Sequence, residues 1–156
     1  MSERQEVARG QYGDGLSWLV WAEREPPRDG QPDAELTTMI RVTDASGRVL
    51  REGGAGGPAL VPGQLMNVST GGGDEGPYCI LARVHPDIRR VAVTTEAGEA
   101  MNMTVYDAPD FPEVRFAVLL VPRDLRLAAV TGLGPDGRQL EHFDLGFHQR
   151  FWHERR

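Results

Sequence analysis

Lysine is absent from this chain of 156 residues; all 17 basic side chains are arginine. Set against 23 Asp and Glu, they leave a formal charge of -6. A protein that binds nucleic acid through phosphates needs a surplus of cations, so DNA or RNA is not an expected partner. Arginine forks also suit bidentate recognition of carboxylate or phosphate. Here they are scattered along the chain rather than clustered, and arginine-rich, lysine-free usage is what a GC-rich genome produces. Cysteine occurs once, at Cys79, which excludes an internal disulfide. Its place within Tyr78-Cys-Ile-Leu81 points to a buried, inert thiol, because a reactive thiolate needs cationic neighbours. No apolar run reaches the ~20 residues that span a bilayer, so no membrane partner is expected. The opening Met1-Ser-Glu-Arg-Gln-Glu6 lacks the charged-then-apolar order of a signal peptide. A soluble cytoplasmic protein is the expectation. Gly-x-Ser-x-Gly elbows, His-Glu-x-x-His helices and a glycine loop ending in Lys-Ser or Lys-Thr are all missing, and with them the usual signatures of hydrolases, zincins and nucleotide sites. No cofactor is expected.

Glycine and proline are plentiful, at 19 and 11, as many short strands joined by turns require. The densest apolar stretch is Val114-Arg-Phe-Ala-Val-Leu-Leu-Val121, fenced by Pro112 and Pro122. It is too short for a buried helix and rich in β-branched residues, so it reads as a strand buried on both faces. Around it lie alternating stretches. Leu16–Glu23 places Leu16, Trp18, Val20 and Ala22 on one face and Leu19 and Trp21 on the other. Leu36–Thr43 alternates, and Asp44-Ala-Ser-Gly47 turns it back into Arg48–Glu52, with Gly47 supplying the positive φ that such hairpins need. The glycine run of 53–57 reads as an irregular crossing. Leu65–Thr70 and Tyr78–Val84 are further strands, the latter with Tyr78, Ile80, Ala82 and Val84 on one face. Arg90–Thr95 with Ala100–Tyr106 forms a second hairpin, and Arg126–Leu133 with Arg138–Phe143 a third. The expected fold class is therefore all-β: a two-sheet β-sandwich of about ten short antiparallel strands in a single domain over 1–156, with residues 1–11 a loose lead-in and 146–156 a short helical or irregular tail. A faint echo between 27–50 and 122–140 fits either duplication or shared hairpin grammar.

The segments Val91-Ala-Val-Thr-Thr-Glu-Ala-Gly98, Val114–Pro122, Leu127-Ala-Ala-Val-Thr131 and Pro135-Asp-Gly-Arg-Gln-Leu140 resemble the strand-and-turn grammar of immunoglobulin-like modules in actinobacterial proteins. The resemblance spans Arg89 to Leu140, about a third of the chain, without the paired cysteines of antibody domains. It implies an immunoglobulin-like sandwich and no particular activity, since this architecture carries many functions.

Candidate sites are few. The tail holds Phe147, Arg150, Phe151, Trp152 and Arg155, and its net charge of +2 contrasts with -8 for the rest of the chain. Aromatic and arginine side chains are favoured in partner-binding patches. Packing of the same aromatics on the chain's own sandwich is the plainer alternative. His142, Asp144, His148 and His153, with Glu154, offer imidazole and carboxylate ligands, but their spacings match no common metal set. Asp74 and Glu75 in one glycine loop, and Asp107 and Asp110 in another, fall short of a calcium loop. One of Trp18 and Trp21 could serve as an exposed platform for a sugar or a partner. The leading expectation is a non-enzymatic interaction module that binds a protein partner or itself as a homo-oligomer. The alternatives are a small metal- or ligand-binding protein or enzyme using the histidine-rich end, and a carbohydrate-binding module.

Overall fold

The computed structural model describes residues 4–26, 29, 35–72 and 75–145. They form twelve strands: β1 (Arg4–Tyr12), β2 (Leu16–Glu25), β3 (Glu35–Thr43), β4 (Val49–Ala55), β5 (Met66–Gly71), β6 (Tyr78–Val84), β7 (Arg90–Thr95), β8 (Ala100–Asn102), β9 (Thr104–Tyr106), β10 (Arg115–Val121), β11 (Leu127–Leu133) and β12 (Gln139–Asp144). Among the described residues there is no helix, hence none long and apolar enough to cross a membrane. Every strand pair is antiparallel. The all-β expectation therefore stands. The count of sheets does not: there are three sheets of four strands, not two. Sheet A runs β1-β2-β3-β4, sheet B runs β5-β6-β10-β9, and sheet C runs β12-β11-β7-β8.

Sheet B is the middle layer. One of its faces shares the larger core with sheet C, where Tyr78, Ile80, Ala82, Val84, Ala117 and Val121 meet Val91, Val93, Leu127 and Val130. Its other face meets sheet A: Cys79, Leu81 and Val118 pack with Val20, Ile40 and Val42, and Phe116 packs with Ala22 and Leu36. The strand expected to be buried on both faces is β10, and it contributes to all three clusters. Its neighbour β6 goes further, with all seven residues buried. The sequence pattern credits β6 with one apolar face because Arg83 interrupts the other; a third layer is what covers that second face.

Two strand assignments change with the layering. The stretch expected to be a loose lead-in, residues 1–11, carries all but the last residue of β1, a nine-residue edge strand. Its alternation is hidden because most of its side chains are polar, and its order comes from the backbone ladder to β2. The stretch Ala100–Tyr106 is not one strand. It breaks at buried Met103, whose N–H donates to the Val91 carbonyl at 2.9 Å. On one side β8 pairs with β7 in sheet C; on the other β9 pairs with β10 in sheet B. One short segment thus staples the two layers.

The hairpins β3–β4, β7–β8 and β11–β12 close alike. The N–H groups of Gly47, Gly98 and Gly137 each donate to the carbonyl three residues back, at 3.0 Å. Each of these glycines has a positive φ, between 80° and 90°, as a type I turn ending in a left-handed residue demands. In the first hairpin Asp44 Oδ1 accepts from Ser46 Oγ and from the N–H groups of Ser46 and Arg48. The Ser46 hydroxyl chiefly, helped by Arg48, holds its carboxyl down at about 2.

Candidate functional site

Antiparallel register lays out the outer face of sheet A in rows. Arg9, Leu19 and Arg41 are cross-strand neighbours, as are Gln11, Ser17 and Thr43. Together with Gly10 and Trp18 they line a shallow concavity of about 440 Å³. The next row sets Glu6 and Met39 on either side of Trp21. Trp21 points away from the core, yet it is only 3% exposed. Guanidinium groups cover it: Arg4 lies 4.5 Å and Arg41 5.0 Å from its ring centroid, in the range of cation–π attraction. Arg41 also donates from Nε to Glu52 Oε2 at 2.7 Å, and Arg9 pairs with Glu6. The face is therefore an apolar strip of Trp21, Met39 and Leu19, with Trp21 roofed by the guanidinium groups of Arg4 and Arg41 and with Glu52 and Glu6 holding Arg41 and Arg9.

A second concavity, of about 330 Å³, opens at one end of sheet B. The β6–β7 loop supplies Pro86 and Arg89 to it. The loop entering β10 supplies Asp107, Ala108, Pro109, Phe111 and Pro112, followed by Val114 and Arg115. Both loops are internally tied, through Ile88 N–H to His85 O and Phe111 N–H to Ala108 O. Arg115 is held from two sides, Nε donating to Asp107 Oδ1 at 2.8 Å and Nη1 to the Ile88 carbonyl at 3.4 Å.

A third arginine is purely internal. Arg83 is 2% exposed and donates to Thr38 Oγ1 and to the carbonyls of Ala55, Gly56, Pro58 and Ala59, at 2.9–3.4 Å. Burial pulls its pKa down. The glycine run expected to be an irregular crossing is thus partly β4 and partly the carbonyl cradle of Arg83. Thr38 lies on the buried face of β3 with Leu36, Ile40 and Val42; nothing in the sequence singles out Arg83.

The expected site residues fare unequally. Phe147, Arg150, Phe151, Trp152 and Arg155 lie outside the described residues, as do His148, His153, Glu154 and Asp74. His142 and Asp144 do share the exposed face of edge strand β12, and His142 Nδ1 lies 3.2 Å from Thr131 Oγ1. Among the described residues no three His, Cys, Asp or Glu side chains converge as a metal set. Glu75 pairs with Arg48 and Asp107 with Arg115. Cys79 is buried, as expected, and burial pushes its thiol pKa up although Arg51 pulls the other way. Neither Trp18 nor Trp21 is an open platform: Trp18 is half-buried, edge-on to Tyr106 at 6.4 Å, and Trp21 lies under its arginines. Set beside known proteins, the chain matches no family model, no curated protein and no solved structure.

Proposed function

We propose that this chain is a non-enzymatic interaction module whose binding face is the outer surface of sheet A. The observation that carries the reading is the roofed strip of Trp21, Met39 and Leu19 beside a 440 Å³ concavity. Tryptophan, methionine and arginine are the side chains enriched at the centres of protein interfaces. Here they sit on three hydrogen-bonded strands that fix their spacing. The arginine stems swing aside or pack against the incoming surface, and the mixed signs of Arg9, Arg41, Glu6 and Glu52 give the rim orientation specificity. The occupant is a protein partner or a second copy of the chain. The aromatic-basic tail, with Phe147, Phe151 and Trp152, extends the same proposal to a second contact.

The immunoglobulin-like resemblance belongs to this proposal too. The stretch it rests on, Arg89–Leu140, falls within sheets B and C. A two-sheet sandwich is the unit we propose for that part of the chain, with sheet A added outside it.

Photo-crosslinking from position 19 of the full-length chain tests the face, with position 102 on sheet C as comparison. Self-crosslinks from 19 that vanish in Met39→Asp, with sedimentation shifting to monomer, mean a second copy. A single heterologous product from 19 but not from 102, lost in Arg41→Glu, means a partner. Equal products from both positions, or no effect of either substitution, would overturn the assignment of this face.

A further inference from the structure

We infer that the cleft between the β6–β7 loop and the loop entering β10 is a binding site for a carboxylate carried on a small apolar body. Two arginines, Arg89 and Arg115, are among the residues that line it, against one acidic residue, Asp107. Arg115 is held by Asp107 and by the Ile88 carbonyl, so its fork is fixed at the edge of the cleft. Among the described residues no carboxylate lies within ion-pair distance of Arg89, and only its backbone N–H is engaged, by Leu133 O. Glu113, on the same loop, is drawn off by Arg24 at 2.6 Å. The lining therefore carries one uncompensated positive charge. A carboxylate, with a single negative charge, cancels it; a phosphate, at about -1.5 to -2 near neutral pH, overshoots. The guanidinium fork is the donor geometry that carboxylates take in bidentate fashion. Ala108, Pro109 and Pro112 supply the apolar part of the lining, with Phe111 and Val114 buried behind them, and proline keeps both loops stiff, so little ordering is lost on binding. At 330 Å³ the cleft is at the small end of ligand sites, roughly 300–1,000 Å³. It suits a small organic acid or the terminal carboxylate of a peptide. The site is separate from the sheet A face and stands or falls without it.

The test is an amide-resolved NMR titration of the full-length chain with four probes: hexanoate, a short peptide with a free C-terminus, the same peptide amidated, and inorganic phosphate. Saturable shifts confined to Arg89, Asp107, Ala108, Phe111 and Arg115 with hexanoate, the free-acid peptide or both, and not with the amidated peptide, support the site. Which of the two binds identifies the source of the carboxylate. Arg89→Gln, at an exposed position and with an unchanged spectrum elsewhere, should weaken binding at least about tenfold, the worth of a hydrogen-bonded charge. No saturation by either acid, equal saturation by the amidated peptide or by phosphate, or binding indifferent to Arg89→Gln would each overturn the proposal.

Discussion

Arginine serves three different ends in this molecule, and what surrounds each guanidinium decides which. Arg41 and Arg4 set their guanidinium groups over the Trp21 ring, where the face of the aromatic system attracts the charge. Arg89 and Arg115 line an open cleft. Arg83 is the costly one: a charge buried without a carboxylate, tolerated because five oxygens accept from it. A fork with several donors in one plane can reach four carbonyls of a single bend and a hydroxyl beside it; an ammonium, a point donor on a flexible stem, cannot. Replacing Arg83 by Ala should therefore lower stability by about 3 kcal/mol or more, from stranded carbonyls and an unfilled volume together. Arg83→Met separates the two, since it keeps most of the volume and none of the donors. Urea unfolding checks this: if Arg83→Met stays within about 0.5 kcal/mol of the parent, the range of an ordinary surface change, the carbonyl cradle contributes nothing. Protease nicking between Ala55 and Ala59 should rise in both variants.

At the scale of the element, β4 shows how a glycine-rich segment becomes strand. The Gly54 backbone lies so close to β3 that an added Cβ would sit 1.9 Å from the Thr38 carbonyl oxygen and 2.9 Å from Met39 Cα. These are backbone atoms of β3, an inner strand of its sheet, so they yield poorly. Gly56 is the natural comparison: it has no positive φ, and the nearest atom to its Cβ would be Thr37 Oγ1 at 3.6 Å. Gly54→Ala should cost about 1–3 kcal/mol, as overpacking does, while Gly56→Ala should be nearly neutral. A drop in the urea midpoint at constant slope for the first and not the second is the expected result; equal drops would mean that the strands can part. The same contact explains part of what the sequence hides. Periodicity exposed β3, β10 and the three hairpins, because their side chains alternate or run apolar and their turns carry Gly47, Gly98 and Gly137. It could not expose β1, whose order resides in backbone hydrogen bonds, nor the end of β4, where the signal is an absent side chain. The break at Met103 was equally silent, since strands that change sheets keep their alternation. The turns within the echo between 27–50 and 122–140 close as the β7–β8 turn outside it does, so that part of the echo does not require duplication. Of the candidate sites, His142 and Asp144, two apart on one strand, share a face by strand periodicity alone, whereas the arginine-covered Trp21 and the cleft at Arg89 assemble from segments far apart in the chain.

For the molecule as a whole, the consequence of three layers is that sheet B has no solvent face of its own. Stripping sheet A would uncover Cys79, Leu81, Phe116 and Val118; at ~25 cal/mol per Å² of apolar surface, no half of the structure has reason to persist alone. One cooperative unfolding transition is expected, and Cys79 reports on it. The thiol lies between sheets A and B at 1% exposure, with its pKa raised chiefly by burial. Labelling by a thiol reagent under native conditions should therefore proceed only through global opening, at a rate that tracks the unfolding equilibrium in urea. The pH dependence has a definite sign. A folded pKa above the unfolded value means that the folded state keeps its proton longer. The resulting stability is complete below the unfolded thiol pKa, about 8.5, and is lost as the pH climbs from there through the folded value. Tyr78, whose pKa burial also raises, adds loss at still higher pH. Cys79→Ser should soften the first part of this alkaline decline and leave the second. Rapid labelling at neutral pH with the tertiary circular-dichroism signal intact would contradict the picture, because it would mean that sheet A lifts away while sheets B and C hold.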